Sequence, residues 1–279
     1  MTDFWDFLEA MRLPDPCLAN GYEQAGPELR GRLKKSMAVH HELLEQRLPP
    51  RFRRTEISYG ASLCSCEAAP APWCLIVHEA AYPAAPRAMA AALPAQLAGV
   101  PIIWSIALQG GAAQTTPPAP VLAAWELAGI ENVAGVGLKN FLPQLRTFAA
   151  SLNKSAGQAP GRVLVLGNPI WSREIHDIFN NERVALLRTE GPPPRILLTG
   201  DRAAAYHPIV CSLHPDADVQ IAQNADDAVY AAVFASDAVN AEKVHTALRL
   251  DYEHCGCWLW PELDAAFFLN HKFSLFSQL

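Results

Sequence analysis

The chemistry-bearing side chains of this chain gather in its second half. His254-Cys255-Gly256-Cys257 places an imidazole beside two thiols in a C-x-C spacing. Thiolate and imidazole ligands at that density suit zinc, and Cys211 and His214 could complete such a set. A C-x-C in a strand points both side chains the same way, so simple packing competes with a metal site. Cys64 and Cys66 form a second C-x-C, read here as a packing pair on an edge strand. His40 and His41 lie on an amphipathic stretch and read as solvated or capping groups. Gly135 and Gly137 lack the third glycine of a dinucleotide fingerprint. The chain carries no G-x-S-x-G, no phosphate loop and no H-E-x-x-H.

Elements must position these groups, and the totals say what is available. The 279 residues are 51% hydrophobic and 18% charged, enough for one large core or two modest ones. A net charge of −6 with no basic run argues against nucleic acid as a partner. Apolar runs are far shorter than the roughly 20 residues that span a bilayer, so no membrane partner is expected. Asp3 and Asp6 interrupt the apolar pattern at the start, unlike a signal peptide. The seven cysteines show no disulfide framework. A reducing cytoplasm is the expected location.

The organising stretch is residues 74–104, CLIVHEAAYPAAPRAMAAALPAQLAGVPIIW. It reads as a buried strand at 74–77, a loop at 78–83, an alanine-rich helix and a second buried strand at 101–104. Upstream, 4–11 reads as a short helix broken by Pro14 and Pro16, 28–47 as a longer helix ended by Pro49 and Pro50, 55–63 as a strand and 68–72 as a turn. Downstream, helices at 121–128, 138–152 and 171–180 alternate with strands at 132–136, 162–166 and 183–187. Beyond a proline-rich hinge at 191–194 the pattern gives strands at 196–199 and 218–222 and a helix at 203–213. Residues 225–250 read as mostly helical, with closing strands at 257–260 and 265–269. Strands separated by helices imply parallel sheets with right-handed crossovers. The loop after the first strand then meets the turn near Asn168 at the carboxyl rim of one sheet, where open α/β sheets bind ligands. The two proline-rich turns bracket a segment that could be an inserted domain.

Several stretches together resemble the histidinol dehydrogenase family, NAD-dependent zinc enzymes. HEAAYPAAPRAMAAALPAQLAGV is similar to that family's GGTAAYPSS loop and following helix. VLAAWELAGIENVAGVG is similar to the next helix and strand, VLVLGNPIW to the segment around its GPGN turn, and ELRGRLKKSMAVHHELLEQRLPP to its N-terminal helix. The similarity runs discontinuously from about Glu28 to Thr199 and more faintly to Leu269. It implies two Rossmann-like parallel-sheet α/β domains, one inserted in the other: residues 1–73 plus 192–279 with the N-terminal helices, and 74–191 as the nucleotide-binding-like insertion. It also implies a homodimer acting on a small-molecule ligand, an amino alcohol or aldehyde, with NAD and zinc as cofactors.

Residue by residue, the resemblance places the cofactor loop at Cys74, Val77 and His78, where the family has a tyrosine strand and two glycines. The family's cofactor-contacting glutamine falls at Asn140, and the asparagine of the GPGN turn at Asn168. Its substrate serine falls at Pro193. A zinc-binding glutamine and histidine three residues apart fall at Cys211 and His214, which would share a helix face. The adjacent acid–base pair falls at Glu253 and His254, able to activate water and remove a proton during alcohol oxidation. A diverged relative that binds a small ligand or metal, or regulates a partner, is the other reading.

Overall fold

The computed structural model describes residues 3–45, 53–59, 62–111, 115–154, 159–179, 184–188, 193–222, 229–242 and 244–277. Three helices open the chain: α1 (Phe4–Ala10), α2 (Asp15–Gln24) and α3 (Gly26–Glu45). An antiparallel hairpin follows, β1 (Arg53–Tyr59) and β2 (Ser62–Pro70). Then come β3 (Cys74–Glu79), α4 (Ala85–Ala98), β4 (Ile103–Gln109), α5 (Ala119–Leu127), β5 (Asn132–Gly137), α6 (Leu138–Lys154), β6 (Arg162–Val165), α7 (Ser172–Phe179) and β7 (Ala185–Arg188). The last part holds β8 (Arg195–Thr199), α8 (Ala203–Leu213), β9 (Asp218–Ile221), β10 (Ala232–Ala235), α9 (Ala238–Glu242), β11 (Leu248–Asp251) and β12 (Leu269–Ser277).

Two parallel sheets result, as expected. One has the order β5-β4-β3-β6-β7 and the other β11-β10-β8-β9. In each, the order reverses once: between β3 and β6 in the first, between β8 and β10 in the second. A third sheet, β1-β2-β12, is antiparallel and was not foreseen.

Alternation along each strand decides what lies between the layers. Cys74 and Ile76 of β3 share a core with Ile196 and Leu198 of β8 and with Phe234 of β10, while Leu75 and Val77 face α1, α6 and α7. Helix α4 runs through the shared core and is buried over nearly its whole surface. A helix buried on all sides must be apolar all round, and alanine side chains let neighbours approach closely. That accounts for its APRAMAAALPAQLA sequence. Gly99 ends it in the left-handed conformation at φ 82°, as a helix-closing glycine does.

Of the N-terminal helices, α1 and α2 pack on the layer of the five-stranded sheet, while α3 also touches Cys255 and Gly256. Phe4 stacks on Phe148 of α6 with ring centroids 4.4 Å apart, and Gly21 of α2 abuts Leu122 of α5. Between them, Leu13 N donates to Val133 O at 2.7 Å and Arg12 bridges Ala134, which covers the outer edge of β5.

Several element assignments need correction. α1 ends before Pro14 as read, and Pro14 and Pro16 also open a second helix, α2, because proline is accommodated in a first helical turn. Residues 68–70 extend β2 instead of turning. The segment read as a helix over 225–250 contains β10 and β11, with only the short α9 between them. A four-residue buried strand such as AVFA carries no periodicity to distinguish it from helix. Residues 257–260 are irregular, and Ala265–Phe268 is a 3-10 turn capped by Asp264. Pro49, Pro50, Gly191 and Pro192 lie outside the described residues.

Candidate functional site

Parallel strands put all their carboxyl ends on one rim, and the reversal point of the strand order leaves a gap there. On the five-stranded sheet that rim carries a crevice of about 520 Å³. Glu79, Gln109, Thr115, Thr116, Leu138 and Trp171 are among its walls. The loop after β3 and the segment after β6 thus border one opening, the arrangement expected from the sequence. Ile170 at its mouth is 96% exposed, an unusual position for a large apolar side chain. Gly135 of β5 makes the crevice possible. A Cβ there would lie 1.7 Å from the carbonyl oxygen of Thr115, so the crossing loop needs a glycine beneath it.

The residues assigned to cofactor binding occupy different places. Asn140 is exposed in the first turn of α6, just past the crevice residue Leu138. Asn168 is exposed in the turn after β6, where its Oδ1 accepts from Arg188 Nη2 at 2.8 Å. His78 belongs to the core instead. Its Nδ1–H donates to the Glu79 carbonyl at 2.8 Å, and its Nε2 accepts from the Ser105 hydroxyl at 3.0 Å. Burial pushes its pKa down to about 4, against the pull of the Glu79 carbonyl, so the ring is neutral. Cys74 opens β3 and therefore sits at the amino rim, the far end from the crevice. Burial raises its thiol pKa and keeps it protonated.

The rim of the four-stranded sheet gathers a denser set of polar groups. Gly200, at φ 99°, turns the chain from β8 into α8. Asp201 accepts from the Ser236 hydroxyl after β10 at 2.5 Å. Glu253, in a 3-10 turn after β11, accepts from Arg202 Nη2 at 2.8 Å and from the Tyr206 hydroxyl at 2.7 Å. Those two bonds, Arg202 first, hold its carboxyl below the usual carboxylate range. His254 turns the other way. Its Nδ1–H donates to Asp251 Oδ1 at 2.7 Å, and the same oxygen accepts its backbone N–H at 3.0 Å. A carboxylate on Nδ1 fixes the tautomer and leaves Nε2 as the basic nitrogen.

Glu253 and His254 are thus held by separate hydrogen-bond partners. Each is organised by a partner the sequence reading did not name: Arg202 and Tyr206 for the first, Asp251 for the second. Asp251 lies three residues before His254, the spacing of a side-chain cap, and that local signal was available. Arg202 and Tyr206 come from another element and left none.

The zinc assignment finds no support in the geometry. Helix α8 ends at Leu213, and His214 has non-helical backbone angles (φ −129°, ψ 65°), so the shared helix face does not exist. Cys211 Sγ faces His207, 3.7 Å from Nε2. The His214 ring turns into the core, 5.2 Å from the Trp258 ring, with Nε2–H donating to the Cys255 carbonyl at 3.3 Å. Burial, and then the Arg87 charge, push its pKa down to about 3. Cys255 and Cys257 are buried, and burial raises both thiols, Cys257 to about 11. Arg32 Nη1 donates to Cys255 Sγ at 3.0 Å. Among the described residues no three His, Cys, Asp or Glu side chains converge as a metal site.

No family model matches the chain, and no curated protein sequence matches it. Solved structures do. The histidinol dehydrogenase of Elizabethkingia anophelis superposes with a TM-score of 0.57 at 11% identity, covering 95% of this chain and 76% of that one. An NAD-dependent benzaldehyde dehydrogenase of Corynebacterium glutamicum gives 0.46 at 10% identity, covering 90% and 75%. A succinate-semialdehyde dehydrogenase of Burkholderia pseudomallei gives 0.46 at 10% identity, covering 97% and 87%. The first of these shows the fold: two parallel α/β sheets arranged as in histidinol dehydrogenase. Among the described residues no helix is long and apolar enough to cross a membrane.

Proposed function

We propose that this chain is an oxidoreductase of the dehydrogenase kind, oxidising a small alcohol or aldehyde with a nicotinamide dinucleotide held at the rim of the five-stranded sheet. The observation that carries the reading is the crevice at the β3/β6 reversal point, in a fold shared with a histidinol dehydrogenase. Its walls suit the nucleoside part of such a molecule. Trp171 and Leu138 offer apolar surface to a base, Thr115 and Thr116 offer hydroxyls, and Glu79 offers a carboxylate to ribose hydroxyls. Bound there, the dinucleotide supplies the hydride acceptor.

The chain's own acid–base work falls to the second rim. His254, held by Asp251, is the group best organised there to accept a proton at Nε2. Arg202, Tyr206 and Glu253 form a fixed polar platform beside it that orients rather than reacts. A second reading, a small-ligand binder without chemistry, is favoured by one observation: Glu253 is fully engaged by Arg202 and Tyr206 and is a weak base there.

Titration with NAD while following thermal unfolding tests the first reading. A ligand at 100 times its dissociation constant stabilises by about 2.7 kcal/mol. The upward shift is expected to survive Asp251→Asn, while turnover of short-chain alcohols and aldehydes falls. No shift at millimolar NAD would remove the dinucleotide. A shift with no turnover of any such substrate would leave the binder.

A further inference from the structure

The thiols Cys64 and Cys66, read from the sequence as packing on an edge strand, lie instead on β2, the middle strand of the antiparallel sheet. Alternation along a strand turns residues i and i+2 to the same face, so both thiols project from one side. Residues directly opposite across an antiparallel ladder share that face. Ile57 and Leu275 therefore flank Cys64, while Thr55 and Phe273 flank Cys66. Packing does not account for the pair. Cys66 is exposed, Cys64 is half-buried, and Ile57, Leu275 and Phe273 are each more than half exposed. Two sulfurs thus stand on an open floor between apolar side chains.

The two sulfurs are neighbours. Desolvation first, and then a hydrogen bond with Cys66, hold the Cys64 thiol above its ordinary pKa. Both cysteines are free thiols, and extended backbone disfavours joining them. Positions i and i+2 of a strand lie about 6.8 Å apart, at the far limit of the Cα separations that disulfides span. An ion that bridges the sulfurs needs no such approach. Structural zinc and iron–sulfur clusters call for four donors, and hard cations call for oxygen. Among the described residues no third His, Cys, Asp or Glu converges with these two. His271 shares the face but stands opposite Ala68, one row beyond Cys66. The donor set left is two thiolates, which select a soft ion, and copper(I) is the soft ion that thiolates favour.

We propose that Cys64 and Cys66 form a two-coordinate copper(I) site on the open face of the β1-β2-β12 sheet. Each ion bound displaces the two thiol protons and leaves a complex of one negative charge, and no electron changes hands. The site does not rest on the dehydrogenase reading.

The test titrates the full chain, reduced and kept free of oxygen, with copper(I) against a coloured chelator. One ion per chain should be retained. Serine at either position should weaken retention by about 10²–10⁴-fold, the gain that a second donor on one target ordinarily brings. Cys17→Ser and Cys211→Ser, at the other partly exposed thiols, should leave it unchanged. In the unmutated chain copper(I) should shield Cys64 and Cys66 together from alkylation, read by peptide mass mapping, so the outcome does not depend on any variant folding. Zinc at the same concentration should not shield them. Retention undiminished in the double variant Cys64→Ser/Cys66→Ser, shielding of other cysteines in their place, equal shielding by zinc, or no retention at all would each overturn the proposal.

Discussion

Acidification from pH 7 to pH 5 should cost this fold much of its stability, and the cause is two buried imidazoles. His78 and His214 are fully buried and held neutral, with pKa values pushed down to about 4 and about 3. In the unfolded chain each returns to about 6.5. Below that value the unfolded state binds protons that the folded state refuses, so stability falls as pH falls. The loss begins near pH 6.5 and continues until the folded-state values are reached. Between pH 7 and pH 5 each ring contributes about 2 kcal/mol, from 1.36 kcal/mol per pH unit over about a unit and a half. Together they remove about 4 kcal/mol from a total that is ordinarily about 5–15 kcal/mol. His40, also lowered by burial, acts in the same direction. The carboxylates held low, Asp201 by Ser236 and Glu253 by Arg202 and Tyr206, enter only below about pH 4.5 and leave this window clean. Urea unfolding at pH 7, 6 and 5, followed by tryptophan fluorescence, measures the slope. His214→Leu should remove about 2 kcal/mol of the acid loss. Stabilities within about 1 kcal/mol of each other at pH 7 and pH 5, or an unchanged slope in His214→Leu, would refute the reasoning.

Two further substitutions probe the supports of the crevice and the joint between sheets. Gly135→Ala puts a methyl group against the Thr115 carbonyl, displaces the crevice wall and should cost about 1–3 kcal/mol with loss of dinucleotide binding. Unchanged melting and binding would show that the crossing loop yields freely. Arg162→Met keeps the apolar stem but removes the donors that now serve the carbonyls of Gly161, Phe267 and Leu269, and leaves Pro160 with only the Asn270 amide. A destabilisation of about 3–5 kcal/mol is expected in urea, and less than about 1 would mean that water replaces the arginine.

What was readable in the sequence follows the length and purity of each signal. The run from Cys74 to Trp104 is apolar enough to give α4 and the start of β3, while β4 begins two residues later than read and runs on to Gln109; residues 203–213 are helical as expected. The antiparallel sheet was hidden because its alternation is built from unusual residues. Ile57, Cys64, Cys66, Phe273 and Leu275 share one face, and the last two are 68% and 58% exposed. An apolar face that the chain's own elements do not cover looks, in sequence, like no face at all.

The site was less legible than the scaffold, and the reason is geometric. Adjacency in sequence suggested that Glu253 and His254 work together, yet successive residues of a tight turn point apart, toward Arg202 and Asp251. Spacing suggested that Cys211 and His214 share a helix face, yet the helix stops one residue short of the histidine. The groups that organise each candidate come from strand ends brought together only by the parallel sheet: Arg202 just after β8, Ser236 after β10, Asp251 closing β11. Chemistry at a strand rim is assembled across crossovers, so its partners are distant in sequence by construction. The one local exception is the carboxylate three residues before the histidine, where a capping bond and a tautomer-fixing bond fall on the same oxygen. Removing that carboxylate's charge with Asp251→Asn leaves an oxygen able to accept both bonds, so it separates the electrostatic share of the arrangement from the structural one.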